Sequence, residues 1–261
     1  LKRDPAAVTV VTPSDHAIAR HEEFNKTLTE AISYAAGSDA LITLGVVPTR
    51  PDANFGYIQM AGRSGDGGPV KIKTFTEKPD AELARVFIET REFLWNSGIF
   101  VWRADAIQLA LEKYAPEITR LWDGWQEVLG TESQDPFLQR IYTDMPRTSI
   151  DYAVMEKTDN AWVYPAEFRW ADIGNWESLY EYLAYHDEQG NALNRTTRRL
   201  LKDCSGNIVY STREGKLLAL RDMEDFIVID TDDVLMICPR DEQKLKDFLS
   251  QLAMPEYEEY R

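Results

Sequence analysis

The sequence predicts an α/β protein with a mostly parallel sheet, followed by a small β-rich domain that ends in a helix. Three observations carry this expectation. A β-branched run, "AVTVVTPSDH" (residues 7–16), is followed by a helical stretch and then by a second apolar run, "ALITLGVVP" (residues 40–48). Strand and helix periods keep alternating to about residue 186. After "DEQGNALNR" (residues 187–195) the pattern changes to short β-branched runs broken by turns: "NIVYST", "KLLALRD" and "FIVIDTDDVLMICP". The domain boundary is therefore placed near residue 190, giving domains 1–190 and 191–261.

The elements follow in order. Residues 7–16 read as a buried strand, as central parallel strands often are. Phe24, Leu28, Ala31, Ile32 and Ala35 lie at helical spacing, so residues 22–36 form an amphipathic helix. Residues 40–48 are the next buried strand. Strand, helix and strand make a right-handed βαβ unit, which is why the sheet is expected to be mostly parallel. "FGYIQMAGRSGDGGPVKIKTFTEKP" (residues 55–79) reads as two strands about a turn rich in glycine: Gly62, Gly65, Gly67 and Gly68. No GK[ST] ending and no immediate helix follow, so this is a hairpin tip rather than a phosphate loop. Residues 80–92 form a helix after Pro79. Residues 93–114 give a short apolar stretch, a strand and a helix, and residues 116–141 are helical. "SIDYAVMEK" (residues 149–157) sets a polar head on an apolar helix. "AWVYPAE" (residues 161–167) is a strand leading into "FRWADIGNW" (residues 168–176). No internal repeat is evident beyond the short strands of the second domain.

Composition narrows the functions. The 261 residues are 44% hydrophobic and 28% charged, enough to bury a core. The net charge of −15 argues against nonspecific nucleic-acid binding and against docking on anionic membranes. It leaves room for a phosphorylated small substrate held by a metal and local cations. The two cysteines, Cys204 and Cys238, show no metal spacing and read as reduced thiols of a cytoplasmic protein. The apolar runs are too short to span a bilayer. The chain opens on Leu1 and enters a strand within a few residues, so it reads as a piece of a longer protein.

Several polar residues stand out against apolar surroundings. Asp15 ends the first strand, where open α/β sheets bind ligands, although it could equally cap the next helix. His16 and His21, five residues apart, share no helical face, and His16 is left outside the candidate site. Glu77 and Lys78 end a strand before Pro79; neighbours on a strand face opposite ways, so no simple salt bridge is expected between them. A carboxylate there could accept sugar hydroxyls and an ammonium could meet a phosphate. Asn96 is an amide in an apolar run, suited to a sugar or to bracing a turn. Ser149 or Asp151 could cap the helix that follows. Asp172 sits between Trp170 and Trp176, where a charge is costly unless something holds it. Asp15 and Asp172 together could hold one Mg²⁺, which favours one or two carboxylates plus substrate phosphates.

In series, "TPSDH", "FGYI", "FTEKPD", "FLWNSG", "SIDYAVMEK" and "W-x-D-x-G-x-W" resemble the sugar-nucleotide pyrophosphorylases, and within them those that use GTP and mannose 1-phosphate. The resemblance covers residues 7 to about 186, and the β-rich tail resembles the C-terminal domain of the same enzymes. It implies a Rossmann-like nucleotidyltransferase fold that makes GDP-mannose and pyrophosphate. It further implies Mg²⁺ held by Asp15 and Asp172, mannose hydroxyls bound by Glu77 and Asn96, and a close backbone approach at Gly56. Lys78 would meet the sugar phosphate and act in the transfer, with Ser149 and Asp151 lining the sugar side. A homodimer is the expected assembly.

One departure bears on activity. The family's opening glycine-rich loop, G-G-x-G-x-R-L, is absent from these residues. The chain by itself is therefore expected to be inactive or nearly so, its sheet to carry an uncovered edge or face, and its base preference to be unreadable. Another hexose-1-phosphate nucleotidyltransferase, or a non-catalytic sugar-phosphate-binding module, remains an alternative. An α/β-hydrolase fails for want of G-x-S-x-G.

Overall fold

The computed structural model describes residues 4, 6–62, 67–166, 168–174, 176–183, 185–194, 198–252 and 254–260. Gly65 of the glycine-rich turn lies outside these residues. The chain divides into two compact units, residues 1–14 with 18–170 and residues 15–17 with 171–261.

As far as residue 172 the elements are β1 (Val8–Val11), β2 (His16–Ala19), α1 (His21–Ala36), β3 (Leu41–Val46), β4 (Tyr57–Met60), β5 (Val70–Thr76), α2 (Ala81–Thr90), β6 (Phe93–Arg103), α3 (Ala104–Tyr114), α4 (Pro116–Leu121), α5 (Trp125–Val128), α6 (Gln134–Asp144), one π-helical turn (Asp151–Met155), β7 (Ala161–Ala166) and β8 (Arg169–Asp172). Six strands form the sheet of the first unit, in the order β1-β6-β3-β7-β5-β4. This sheet is mixed, which corrects the expectation of a mostly parallel one. Among the described pairings within it, β3 and β7 run parallel. The pairs β1–β6, β3–β6, β4–β5, β4–β6 and β5–β7 are antiparallel. β1 and β3 do run the same way, as a βαβ unit requires, but β6 inserts between them and opposes both. Apolar runs report burial and leave a partner's direction open.

Two further expectations change. β1 is an edge strand with Val10 and Val11 exposed, not a buried central strand. Residues 93–103 form one strand rather than an apolar stretch and a separate strand. Along β6 the side chains alternate between two cores. Phe93, Trp95, Ile99 and Val101 join Ala31 and Ala35 of α1 and Phe87 of α2. Leu94, Phe100 and Trp102 join Ala106 of α3 and Ala153, Val154 and Met155 of the π-helical turn. Burying each such aliphatic or aromatic side chain contributes roughly 1.5–3 kcal/mol. The same alternation puts Thr43 and Asn96 on the second face, among apolar neighbours.

The second unit contains α7 (Trp176–Tyr182), β9 (Ala192–Leu193), β10 (Arg198–Ser205), β11 (Ile208–Ser211), β12 (Leu217–Glu224), β13 (Phe226–Asp230), β14 (Leu235–Pro239) and α8 (Glu242–Leu252), with a closing 3₁₀ turn (Pro255–Tyr260). β9, β11 and β13 stack in parallel, β14 closes that sheet antiparallel, and β10 stacks in parallel on β12. The backbone is thus a coil, and it does carry a repeat that the strand pattern alone does not reveal. Arg198 pairs with Leu217 and Ile208 with Ile227, each 19 residues on. Left-handed backbone recurs at the same interval, with φ of 54° at Asp203 and 55° at Asp222. Val209 and Val228 point into the coil beside Leu193 and Leu218. Ile208 and Ile227 point outward beneath Leu245 of α8 and Trp176 and Tyr180 of α7.

Candidate active site

The candidate residues fall into two groups, one in each unit. In the second unit Asp15, His16 and Asp172 each offer a ligand atom, and these atoms lie within 4.8 Å of one another. β2 begins at His16, β8 ends at Asp172, and the two strands pair. The helix-cap reading of Asp15 does not hold: the N-cap position of α1 is Arg20, in left-handed backbone, with no side-chain cap bond. The Asp172 Oδ1 accepts a hydrogen bond from the Gly174 N–H at 2.9 Å. A Cβ added at Gly174 would sit 3.0 Å from that oxygen. Trp170 is buried in the first unit's core and Trp176 packs in the second unit's. The tryptophans therefore anchor the stretch, while the glycine leaves the carboxylate room and a donor.

His16 Nε2 stands 3.9 Å from Asp172 Oδ1. Burial holds its imidazole below the usual histidine range, and the Asp172 and Asp15 carboxylates pull the other way. Two carboxylates and a ring nitrogen suit a divalent cation. Around an ion with ~2.1 Å bonds adjacent ligands lie about 3.0 Å apart and opposite ones about 4.2 Å, so the three atoms would draw together by roughly an ångström to share one ion. The two carboxylates fit the ion that the resemblance implies.

In the first unit Asn96 is the hub. Its Oδ1 accepts from the Thr43 hydroxyl at 2.7 Å, its Nδ2 donates to Asp151 Oδ1 at 3.0 Å, and its backbone N–H donates to the Gly56 carbonyl at 2.8 Å. Glu77 lies alongside. A Cβ at Gly56 would come within 2.3 Å of Glu77 Oε2 and 3.3 Å of Asn96 Cβ, so these three residues converge and a side chain at 56 would have to displace the Glu77 carboxyl. Lys78 Nζ is 3.5 Å from Glu77 Oε1, an ion pair that corrects the opposite-faces expectation. The reason is that β5 ends at Thr76 and Lys78 turns into left-handed backbone, φ 47°, which breaks strand alternation. The Glu77 N–H is held by Glu156 Oε1 at 2.9 Å.

Glu77 Oε2 is buried with no hydrogen-bond partner among the described residues. Burial, reinforced by Asp151 and opposed by Lys78, pushes its carboxyl up to about 7. Burial also raises Asp151, against the hydrogen bonds from its own backbone, Ser149 and Asn96. The predicted helix here is a single π-helical turn, in which the Glu156 N–H reaches back to the Asp151 carbonyl at 2.9 Å. Ser149 Oγ accepts from the Tyr152 N–H at 3.4 Å, a capping contact at the start of that turn.

Of the residues singled out in the sequence, the structure thus joins Asp15 with Asp172, and Gly56, Glu77, Lys78, Asn96, Ser149 and Asp151 with one another. Three neighbours are added by the structure. His16 fails a test of helical spacing, which is beside the point on a strand. Thr43 had a signal, a hydroxyl inside the apolar run "ALITLGVV". Glu156 had none beyond its place after an apolar turn.

Residues 1–189 match the family model described as nucleotidyl transferase, and the chain belongs to that family. Residues 198–252 match a MannoseP isomerase/GMP-like beta-helix domain. Among curated relatives, xanthan biosynthesis protein XanB of Xanthomonas campestris pv. campestris (strain B100) is 35% identical over 248 residues, 93% of this chain and 50% of that protein. A mannose-1-phosphate guanylyltransferase of Escherichia coli is 32% identical over 260 residues, 97% of this chain and 54% of that protein. The chain spans about half the length of the curated relatives it matches. A crystal structure described as mannose-1-phosphate geranyltransferase from Thermus thermophilus aligns with a TM-score of 0.80 at 25% identity, over 95% of this chain and 70% of that one. Mannose-6-phosphate isomerase from Helicobacter pylori aligns with a TM-score of 0.54 at 28% identity, over 65% of each chain.

Proposed function

We propose that the chain takes part in making GDP-mannose and pyrophosphate from GTP and mannose 1-phosphate. The observation that carries this reading is the buried carboxyl oxygen of Glu77, without a hydrogen-bond partner among the described residues and set beside the Asn96 amide and the Lys78 ammonium. A buried acceptor without a donor is costly, and a sugar hydroxyl supplies that donor. The names of the relatives point to the same chemistry.

In this reading Glu77 and Asn96 hold the mannose hydroxyls, Gly56 lets the sugar approach, and Ser149 and Asp151 support that side. Lys78 meets the sugar phosphate and offsets its charge. A phosphate oxygen of mannose 1-phosphate attacks the α-phosphorus of GTP in line and pyrophosphate departs. The attacking phosphate is already a nucleophile, so the residues act by positioning and charge neutralisation. Asp15 and Asp172 would hold Mg²⁺, which when bound would neutralise phosphate charge. Residues 1–190 serve as the sugar-phosphate-binding domain and 191–261 as the β-rich domain, although residues 171–190 belong to the compact unit that contains the latter. Cys204 and Cys238 are both unbridged, in keeping with a cytoplasmic setting. A homodimer is the proposed assembly.

Calorimetric titration of the chain with mannose 1-phosphate, glucose 1-phosphate and inorganic phosphate tests the reading. Mannose 1-phosphate should bind tightest, and Glu77→Ala should remove that preference. Equal binding of all three would overturn it, and a preference for glucose 1-phosphate would transfer the site to another hexose.

A further inference from the structure

We propose that His16 is a third protein ligand of the cation held by Asp15 and Asp172, and that its ring nitrogen makes this site favour Mn²⁺ over Mg²⁺. The inference rests on the reading that an ion binds between those two acids. What it adds comes from the local geometry. His16 follows Asp15 directly and opens β2, while Asp172 closes the paired strand β8. This brings the imidazole into the same ring of ligand atoms as both carboxylates, all within 4.8 Å. At 3.9 Å the His16 Nε2 and Asp172 Oδ1 are too far apart for a direct hydrogen bond, and their separation lies between the about 3.0 Å of adjacent and the about 4.2 Å of opposite ligands around one ion.

The metal preference follows from the donor set. Mg²⁺ is small and hard, binds through oxygen and keeps most of its waters. An imidazole nitrogen in the first coordination sphere suits first-row ions, and the order of affinity rises from Mn²⁺ onward through the series. Two carboxylates with one imidazole leave open positions for phosphate oxygens, so the set holds such an ion without closing it off from a substrate. The Gly174 N–H takes up one lone pair of Asp172 Oδ1 and fixes the carboxylate's direction. A water-bridged Mg²⁺ would need only the two acids; the imidazole is the feature that separates the two cases.

Pulsed electron paramagnetic resonance of Mn²⁺ bound to the chain reads this without any turnover. The native chain should show the modulation of a directly bonded imidazole nitrogen. His16→Gln should abolish that modulation and weaken Mn²⁺ binding by roughly 10–100-fold, at least what losing an outer-shell partner costs. Mg²⁺ affinity, from competition against Mn²⁺, should change far less. Nitrogen modulation that is missing in the native chain, or that persists in His16→Gln, overturns the assignment. Asp172→Asn separates the two readings. If it weakens Mn²⁺ binding while no nitrogen is bonded, the two-acid site stands and the histidine ligand falls. If Mn²⁺ binds Asp172→Asn as tightly as the native chain, both fall.

Discussion

The Gly174 N–H donates to Asp172 Oδ1 at 2.9 Å, and this bond accounts for the spacing of "WADIGNW". The donor lies two residues on from the carboxylate, and a side chain there would meet it at 3.0 Å. Gly174→Ala should push the carboxylate out of line with the cation proposed to bind there. We expect a loss of about tenfold in Mn²⁺ affinity, with folding stability changed by less than about 1 kcal/mol, since Gly174 is exposed. Metal titration paired with urea unfolding checks this. Unaltered affinity would remove the glycine from the site.

Gly56→Ala should act on the other group. The new methyl would lie 2.3 Å from Glu77 Oε2. The backbone has little freedom to retreat, because the Gly56 carbonyl accepts the Asn96 N–H at 2.8 Å. Overpacking of this kind costs about 1–3 kcal/mol. Mannose 1-phosphate affinity should fall by more than the stability loss explains. A variant that binds the sugar phosphate normally would show that Glu77 can move aside.

Glu77 also gives a pH dependence. Its folded value of about 7 lies above the ordinary 4.5, so the folded chain keeps a proton that the unfolded chain has released. Where the native state binds more protons, stability falls as pH rises, here from about 4.5 to 7. Below that window the penalty is absent, and above it the penalty is complete. Allowing for partial solvent screening, Glu77→Gln should gain about 1–2 kcal/mol on the native chain between pH 5 and pH 8. Urea midpoints of both proteins at the two pH values measure it. A difference that does not change with pH would place the carboxyl in ordinary solvent.

Particular residues show where sequence reasoning reached and where it stopped. Asp172 was legible because a charge between tryptophans needs a reason, and Asn96 because an amide in an apolar run does. The insertion of β6 between β1 and β3 was not, since Val101 pairs with both Val10 and Ile42 across gaps that no local period encodes. The Lys78 ion pair was hidden because strand alternation does not extend two residues past the end of β5, into left-handed backbone. The 19-residue coil is faint because few positions keep their identity: Leu201 and Leu220, Asp203 and Asp222, Ile208 and Ile227, Val209 and Val228, and Thr212 and Thr231 do, while Asn207 gives way to Phe226.

That last exchange identifies Asn207 as a support of the coil. Its side chain is fully buried. Nδ2 donates to Asn191 Oδ1 at 2.7 Å and to the Met223 carbonyl at 2.9 Å, and Oδ1 accepts the Phe226 N–H at 2.8 Å. One amide thus ties three successive turns of backbone. Asn207→Ala strands the Phe226 N–H and the Met223 carbonyl, each at about 1–2 kcal/mol. A total loss of roughly 2–4 kcal/mol should appear in the second unit. Cys204 and Cys238, both buried there, report it directly. At about 1.4 kcal/mol per tenfold, opening of the coil should rise roughly 30- to 700-fold. Their reaction with a thiol reagent under native conditions should accelerate to match. Thiols that stay as slow as in the native chain would show that neighbouring turns hold the coil without this amide.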